Sequence, residues 1–481
     1  MKEMDPSEQE SRLAECESKT EMGMSPDTNP TERTASPTRN SLTLDPTDKR
    51  QCTSHQSNNT MQTEISCIST LGDFKVIPLE IFEIILGFVS VKDISMMSMV
   101  SKTINNRVIN YISAPPGKKR LFPQDFHNHE QSDYTRSSIM EHYGSLGLLF
   151  KRCTLLSPTK ERLKYIHKIL SEISCFKFNG CSDPLHCFGL QCYGVFLQAL
   201  TAGWDECECC QVYSFLCEVT NLPQKMEKVF NSKPGRFRKL ELRIRTFCRG
   251  VLLNHRINRN DSAFWLRCIL NQWPMINQAR LLYVIFGPTS ILHGHIAWVN
   301  MIRHEADENS LKELAEAVKL LRDTDANEWP ENDDVILLEQ LTVIPEKWHL
   351  ENIARFLILC GSNICFSFMA NKAVTGQDME LARLVVFLAL VCEKDIYCMG
   401  WTVQIMQKIC NIINTTYEKN VFLQNIENAF AQIIMDALQF VMSGRIDLMG
   451  KEVRIKTTLK DKYSKGSMHY FPNLDKLPNI G

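Results

Sequence analysis

Cysteine and histidine side chains are concentrated at residues 175–217, the stretch of the chain best equipped to bind a metal. The chain contains 19 cysteines, and eight of them lie here beside His186: Cys175, Cys181, Cys187, Cys192, Cys207, Cys209, Cys210 and Cys217. A structural zinc ion takes four tetrahedral ligands, usually supplied as two closely spaced pairs. Cys207 and Cys210 form the only Cys-x-x-Cys pair. We therefore predict reduced thiols packed as small apolar side chains, with no metal and no cofactor.

A basic run follows at residues 233–259, in which Glu241 is the only acidic residue. Four of its arginines form a candidate patch for an acidic protein, a phosphorylated peptide or nucleic acid: Arg243, Arg245, Arg249 and Arg256. The alternative is a solvated helix face whose charge is balanced by acids elsewhere, such as those at 325–334. We favour the balanced face. The formal net charge is −1, so we expect neither nucleic acid nor a membrane as a partner.

The sequence carries none of the common local motifs of enzymes. It has no phosphate-binding glycine loop, no His-Glu-x-x-His and no Gly-x-Ser-x-Gly. No apolar run reaches the roughly 18 residues of a membrane span, and residues 1–30 do not resemble a secretory signal. Many cysteines without such a signal indicate a reducing compartment. Missing motifs do not exclude a Cys/His enzyme, because such residues meet only in the fold. We expect an intracellular protein of the nucleus and/or cytoplasm.

Composition divides the chain into five segments. Residues 1–68 contain no aromatic side chain and are rich in polar residues and proline, which predicts a disordered tail. Residues 72–113 form a compact apolar pattern, and 114–142 read as a linker because Pro, Gly and polar residues interrupt them. Residues 143–442 should form a helical domain. Residues 443–481 should form a loose C-terminal tail.

Helical periodicity recurs throughout the large segment, as in "LKELAEAVKLL" and "TVQIMQKICNII". Strand alternation with hairpin turns is lacking. We therefore predict an all-α fold: three helices at 72–113, followed by a large irregular helical domain. A solenoid-like stack is one arrangement of its helices, although the sequence shows no fixed repeat period.

The segment at 72–113 has more apolar surface than it can bury alone. A helix through residues 81–89 is apolar on nearly every side, and Ser90 with Asp93 resembles a capping box that starts the next helix. Two or three short helices make too small a core to cover this surface. Either the rest of the chain or a partner must cover it.

The same stretch resembles the F-box family. The family pattern is matched by Ile77-Pro78-Leu79-Glu80-Ile81, Ile85-Leu86, Asp93-Ile94 and Val100-Ser101-Lys102. Ile77 replaces the usual Leu, and Ile104 stands where an aromatic residue is frequent. The resemblance implies a three-helix module that docks on the Skp adaptor, and through it on the cullin–RING core of a ubiquitin ligase.

By that resemblance, nine residues are expected to contact the adaptor, although some of them must instead hold the three helices together: Ile77, Pro78, Ile81, Ile84, Ile85, Val89, Ile94, Met97 and Val100. The implied function is the substrate-binding subunit of a Skp–cullin–F-box ligase, with an unknown protein as its substrate. The alternative is a non-degradative F-box scaffold that stabilises or positions a partner complex. An enzyme that uses the cysteine-rich stretch is the least favoured hypothesis.

Overall fold

The computed structural model describes residues 77–127, 133–183, 187–256, 258–290, 294–303, 306, 308–323, 331–395, 397 and 399–442. Within these ranges the chain forms twenty α-helices and no β-strand, apart from an isolated bridge between Thr289 and Ile296. The predicted all-α class is therefore confirmed for the part of the chain that is described. The tails predicted at 1–68 and 443–481 lie outside the described residues.

Four short helices come first. They are α1 (Leu79–Phe88), α2 (Val91–Met97), α3 (Lys102–Ser113) and α4 (Pro115–Leu121). All the helices belong to one compact unit that begins at Leu79.

Sixteen further helices follow the first four. The first eight are α5 (Asp133–Cys153), α6 (Thr159–Leu170), α7 (Gly189–Thr201), α8 (Glu206–Thr220), α9 (Leu222–Phe230), α10 (Arg238–Phe247), α11 (Arg259–Leu270) and α12 (Met275–Phe286). The others are α13 (Asn300–Arg303), α14 (Glu308–Arg322), α15 (Glu331–Leu341), α16 (Leu350–Cys360), α17 (Ser362–Val374), α18 (Asp378–Lys394), α19 (Met399–Ile412) and α20 (Thr416–Met442). A 3₁₀ turn at Ser174–Phe176 precedes α7, and a π-helical segment at Cys248–Leu253 continues α10.

The later helices pack against their next-but-one neighbours, which is the pattern of a solenoid. One row contains α14, α16, α18 and α20, and a second row contains α12, α15, α17 and α19, if the one-turn helix α13 is left out. The contacts are apolar: α18, for example, buries Leu384, Leu388 and Val391. Stacked helix pairs of this kind extend a continuous core by nearest-neighbour contacts. The solenoid-like arrangement is therefore present in the second half of the chain.

The range predicted as a linker, 114–142, contains more regular structure than expected. Pro115 and Pro116 occupy the first positions of α4, where proline is well tolerated, and α5 already begins at Asp133. Gly117 allows α4 to lie against α3, because a Cβ at this position would fall 1.9 Å from the carbonyl oxygen of Tyr111. Sequence reasoning treated the prolines as breakers, whereas here they start a helix.

None of the helices in the described ranges is both long and apolar enough to cross a lipid bilayer.

Candidate functional site

The first helix has two apolar faces with opposite environments. Phe82 and Leu86 have no exposed surface and form the inner face of α1, a helix that packs on α3 and α4. On the outer face Ile81, Ile84 and Phe88 remain 48%, 57% and 88% exposed. Large apolar side chains that recur at i, i+3 and i+7 on an exposed helix face are characteristic of a binding surface. The inner face holds the module together, and the outer face is available to a partner.

Serine caps fix where α2 and α3 begin. The Ser90 hydroxyl accepts a hydrogen bond from the Asp93 backbone N–H and donates one to the Asp93 carboxylate at 2.6 Å. Ser101 accepts one from the Ile104 backbone N–H at 3.2 Å. These bonds satisfy amide groups that have no partner within the helix. The cap predicted at Ser90 is confirmed, and Ser101 of the Val-Ser-Lys pattern is a second one.

Replacing Ser90 with alanine is expected to lower the free energy of unfolding by about 1 kcal/mol, the usual cost of losing a helix cap. Chemical denaturation of the full chain measures this loss. Ser90→Asn is the matched control, since asparagine also caps helices well and should retain most of the stability. Equal losses in the two variants would contradict a capping role.

The fourth helix closes the end of α1. The Arg120 guanidinium donates hydrogen bonds to the backbone carbonyl oxygens of Leu86, at 2.6 Å, and Val89. The last carbonyls of a helix have no partner within the helix, and a cation at this end also interacts favourably with the helix dipole. The module that presents the outer face of α1 therefore has four helices, ending at Leu121 rather than at residue 113.

The module is docked on the long helix α5. Arg152 donates to the Ser95 hydroxyl at 2.9 Å, and the Asn105 side-chain amide donates to the Cys153 carbonyl oxygen at 2.9 Å. Ser95 is fully buried between α2 and α5. These contacts use the inner side of the module, so its docking leaves the outer face of α1 uncovered.

Eight of the nine residues predicted to contact an adaptor keep some exposure in the structure. Pro78, Ile81, Ile84 and Val100 are exposed, and four are half-buried: Ile77, Ile85, Val89 and Met97. Ile94 is the exception, because it has no exposed surface and packs inside the module. Ile94 therefore has the other role expected for some of the nine residues, which is to hold the helices together. Ile104 is also buried, at 4% exposure, so the position that departs from the family pattern still serves as an apolar core position.

Four exposed apolar side chains were missed by the sequence reasoning. Leu79 and Phe88 lie on α1, and Met96 and Met99 lie at the turn between α2 and α3. Phe88 follows Ile84 by four positions, so helical periodicity alone places both on one face. The two methionines lie where α2 ends, and the helix boundary that exposes them was not evident from the sequence.

The four arginines of the candidate patch are held by partners within the chain. Arg245 is only 9% exposed, and it donates to the carbonyl oxygens of Val284, at 3.2 Å, and Gly287, at 2.7 Å. Arg249 makes a two-pronged ion pair with Glu313, with distances of 2.7 and 2.9 Å. The patch prediction is therefore wrong for these residues, because their charges join α10 and its π-helical extension to α12 and α14.

The other two arginines of that prediction also have partners within the chain. Arg243 donates to the Asn179 side chain at 2.7 Å. Arg256 donates to the Leu252 carbonyl oxygen at 2.9 Å, and its guanidinium lies 4.3 Å from the centre of the Trp265 ring. Glu313 is the acid that balances Arg249, which agrees with the expectation that acids elsewhere in the chain offset this charge. Of the acidic stretch named as an example, 325–334, residues 325–330 lie outside the described residues.

The Glu313 ion pair should make part of the stability depend on pH. The hydrogen bond from Arg249 lowers the pKa of the Glu313 carboxyl below its ordinary value. A carboxyl whose pKa is lower in the folded chain stabilises the fold above its unfolded pKa of about 4.3, and this contribution is lost as pH falls through the folded value.

Glu313→Gln should therefore be less stable than the parent chain near neutral pH, and this gap in stability should close below about pH 4. Denaturant midpoints across this range measure the gap, and a gap that persists in an Arg249→Gln background would contradict the assignment.

The Cys-x-x-Cys pair lies on one face of α8, where Cys207 and Cys210 are both exposed. A hydrogen bond with Cys268 lowers the pKa of the Cys210 thiol. His186, the histidine noted beside the cysteines, lies outside the described residues. The other cysteines of the stretch are distributed between buried and half-buried positions, with Cys192 and Cys217 in the core.

A family model described as "FBXO47, ARM repeats" matches residues 218–453. Together, the helical stack and the module at its start define the class: this is an F-box protein with an ARM-repeat helical domain. The chain is 60% identical to F-box only protein 47 of Homo sapiens over 417 residues, which are 86% of this chain and 92% of the human one. Identity to F-box only protein 47 of Mus musculus is 59% over 417 residues, with the same coverage of each chain. The chain therefore belongs to the F-box only protein 47 family. No solved structure matches it.

Proposed function

We propose that this chain is the substrate-binding subunit of a Skp–cullin–F-box ubiquitin ligase. The observation that carries the proposal is the uncovered outer face of α1, where Ile81, Ile84 and Phe88 remain exposed while the opposite face is fully buried. A soluble helix exposes such a face at a cost in free energy unless a partner covers it. The sequence of the module resembles the F-box, and the chain belongs to the F-box only protein 47 family, which supports the Skp adaptor as its partner.

The proposed contact surface has two parts. The outer face of α1 provides Ile81, Ile84 and Ile85, predicted from the sequence, with Leu79 and Phe88 added from the structure. Val89 follows the helix, and Ile77 and Pro78, which precede it in the chain, stay predicted contacts. The turn between α2 and α3 provides Met97 and Val100, with Met96 and Met99 beside them. Flexible methionine side chains suit a surface that must adapt to a groove. Because Ile94 is buried, we leave it out of this surface.

The helical domain supplies the second half of the function. Stacked helix pairs present extended surfaces on which a target protein can be held. Docking the module firmly on α5 fixes the direction in which such a target is presented. In this proposal the ubiquitin-transfer chemistry belongs to the cullin–RING core and its conjugating enzyme. The chain itself contributes orientation and a high effective concentration of target.

Co-expression of the full chain with a tagged Skp adaptor tests the proposal. We expect both proteins to be recovered in equal amounts after affinity capture and gel filtration, and to recruit the cullin–RING core when it is added. A monodisperse chain that is not retained by the adaptor would contradict the adaptor contact.

Whether the target protein is degraded distinguishes the ligase-subunit hypothesis from the scaffold hypothesis. Proximity labelling with the intact chain and with an adaptor-deficient surface variant identifies target candidates as the proteins labelled by both. If the chain acts in a ligase, inhibition of cullin activation should lengthen the lifetime of these proteins. If the inhibitor leaves the lifetimes of these proteins unchanged, the non-degradative scaffold is favoured.

A further inference from the structure

Three separate segments of the chain bring four metal-binding atoms together near the start of α7. His127 follows α4, Cys175 lies in the 3₁₀ turn at Ser174–Phe176, and Cys181 and Cys187 lie between that turn and α7. The ligand atoms of these four residues all lie within 4.8 Å of one another. His127 Nε2 is 3.2 Å from Cys175 Sγ and 3.7 Å from Cys181 Sγ.

These separations are close to those of a tetrahedral zinc site. With Zn–S bonds of about 2.3 Å and Zn–N bonds of about 2.0–2.1 Å, ligand sulfur and nitrogen atoms lie roughly 3.6 Å apart, and two sulfur atoms roughly 3.8 Å apart. Three cysteines and one histidine are also a common ligand set of structural zinc ions. Small side-chain rotations would therefore suffice to close the site around an ion.

An aromatic cluster holds three of the four ligands in place. His127, Cys175 and Cys187 each adjoin a buried phenylalanine in sequence: Phe126, Phe176 and Phe188. The Phe126 ring centre lies 5.7 Å from those of both other rings. The packed rings hold the three backbone segments close together, and the ligand atoms of the adjacent residues lie within 4.8 Å of one another. The site is therefore largely built by the core and does not depend on a chance meeting of surface side chains.

The backbone at the site leaves no room for a larger residue. A Cβ on Gly189 would lie 2.6 Å from the Cys175 Cβ and 3.3 Å from the Cys187 Sγ. In addition, the Gly189 backbone N–H donates to the Cys187 Sγ at 3.3 Å. Backbone N–H groups that donate to ligand sulfur atoms are part of the outer shell that orients metal ligands. Gly189 therefore allows Cys175 and Cys187 to approach one another.

We propose that His127, Cys175, Cys181 and Cys187 bind a structural zinc ion. The ion would link the segment that follows the four-helix module to the start of α7 in the helical domain. On the proposed function, it would fix the adaptor-binding end of the chain relative to the target-binding end. The zinc site itself does not depend on that function, and its test requires neither adaptor nor target.

The test is the metal content of the full chain, purified without added metal and passed through gel filtration with a chelator. We expect about one zinc ion per chain by mass spectrometry of the metal. Cys181→Ser and Cys187→Ser should each lose it. The matched control, Cys207→Ser with Cys210→Ser, removes two cysteines outside the cluster and should keep it. A parent chain without zinc, with its cluster thiols either freely reactive or joined in a disulfide, would overturn the proposal.

Cobalt substitution gives a second measurement that works on the folded parent chain. Cobalt bound by three thiolates and one imidazole has visible absorption bands and a thiolate charge-transfer band whose intensity follows the number of thiolates. His127→Ala should lose the bound metal, whereas His127→Cys should keep it and raise the charge-transfer intensity by roughly a third. His186→Ala should leave both metal and spectrum unchanged. Loss of metal in His186→Ala but not in His127→Ala would overturn the assignment of the fourth ligand.

Discussion

Replacing Ile84 and Phe88 together with aspartate is expected to abolish retention of the chain by the Skp adaptor while leaving the chain folded. Both side chains are largely exposed, at 57% and 88%, so the substitutions remove little from the folded chain alone. In a desolvated interface, truncating an apolar anchor costs about 2–4 kcal/mol, and a buried unpaired charge adds to that cost. Loss of one such residue should therefore raise the Kd for the adaptor by about 30- to 1,000-fold. Calorimetry or surface plasmon resonance with the purified adaptor measures the change.

Val374→Asp is the matched control for that double variant. Val374 is an apolar side chain with 74% exposure, and it lies at the end of α17 in the helical stack. The control should bind the adaptor as tightly as the parent chain. Circular dichroism and unfolding midpoints establish that all variants remain folded. Unchanged affinity in the Ile84 and Phe88 variant would remove the outer face of α1 from the adaptor contact.

Replacing Arg355 with methionine is expected to give the largest loss of stability from a charged side chain in the helical stack. This guanidinium is only 2% exposed, and it donates to Asp395 at 2.8 Å and to the Ala306 carbonyl oxygen at 2.9 Å. Glu351 lies 3.6 Å away and has 9% exposure. The substitution removes this partner from the Asp395 carboxylate and the Ala306 carbonyl oxygen, whereas Glu351 keeps its ion pair with Lys394 at 3.0 Å. Removing one member of a buried ion pair costs about 3–5 kcal/mol. Denaturant unfolding of the full chain measures the loss.

Arg383→Met provides the comparison for Arg355. Arg383 is an exposed arginine on α18, the helix that Arg355 ties to α16 through Asp395. The same substitution there should change stability by less than about 0.5 kcal/mol, as surface substitutions usually do. If both variants lose the same free energy, the buried network does not contribute as proposed.

Helical periodicity was sufficient to predict the main features of the first module. The apolar run at 81–89 predicted α1, and the cap at Ser90 predicted the start of α2. Both helices are present in the structure. These features depend on residues three or four positions apart, which interact directly in a helix. Which apolar residues face outward was less predictable: Ile94 and Ile84 look alike in sequence, but one is buried and the other is 57% exposed.

The order of charges along the chain did not predict the partners of the arginines in the basic run. Arg245 and Arg249 were recognised as a possible patch, yet their partners lie on α12 and α14, and Glu313 is 64 residues from Arg249. The cluster at His127 shows the same limit for metal ligands. Its histidine lies 48 residues before Cys175, so no spacing rule for local pairs could have included it.

The sequence by itself determined the all-α class, the apolar helix at the start of the module, the serine cap at Ser90 and the F-box pattern, because each depends on neighbours within one or two helical turns. Only the tertiary structure decided the fourth helix of the module, the burial of Ile94, the internal pairing of the basic run and the meeting of His127 with three cysteines. Those depend on which surfaces the packed helices bring together. Contacts between residues distant in the chain depend on the packing of the whole unit, and a single sequence contains no local signal for them.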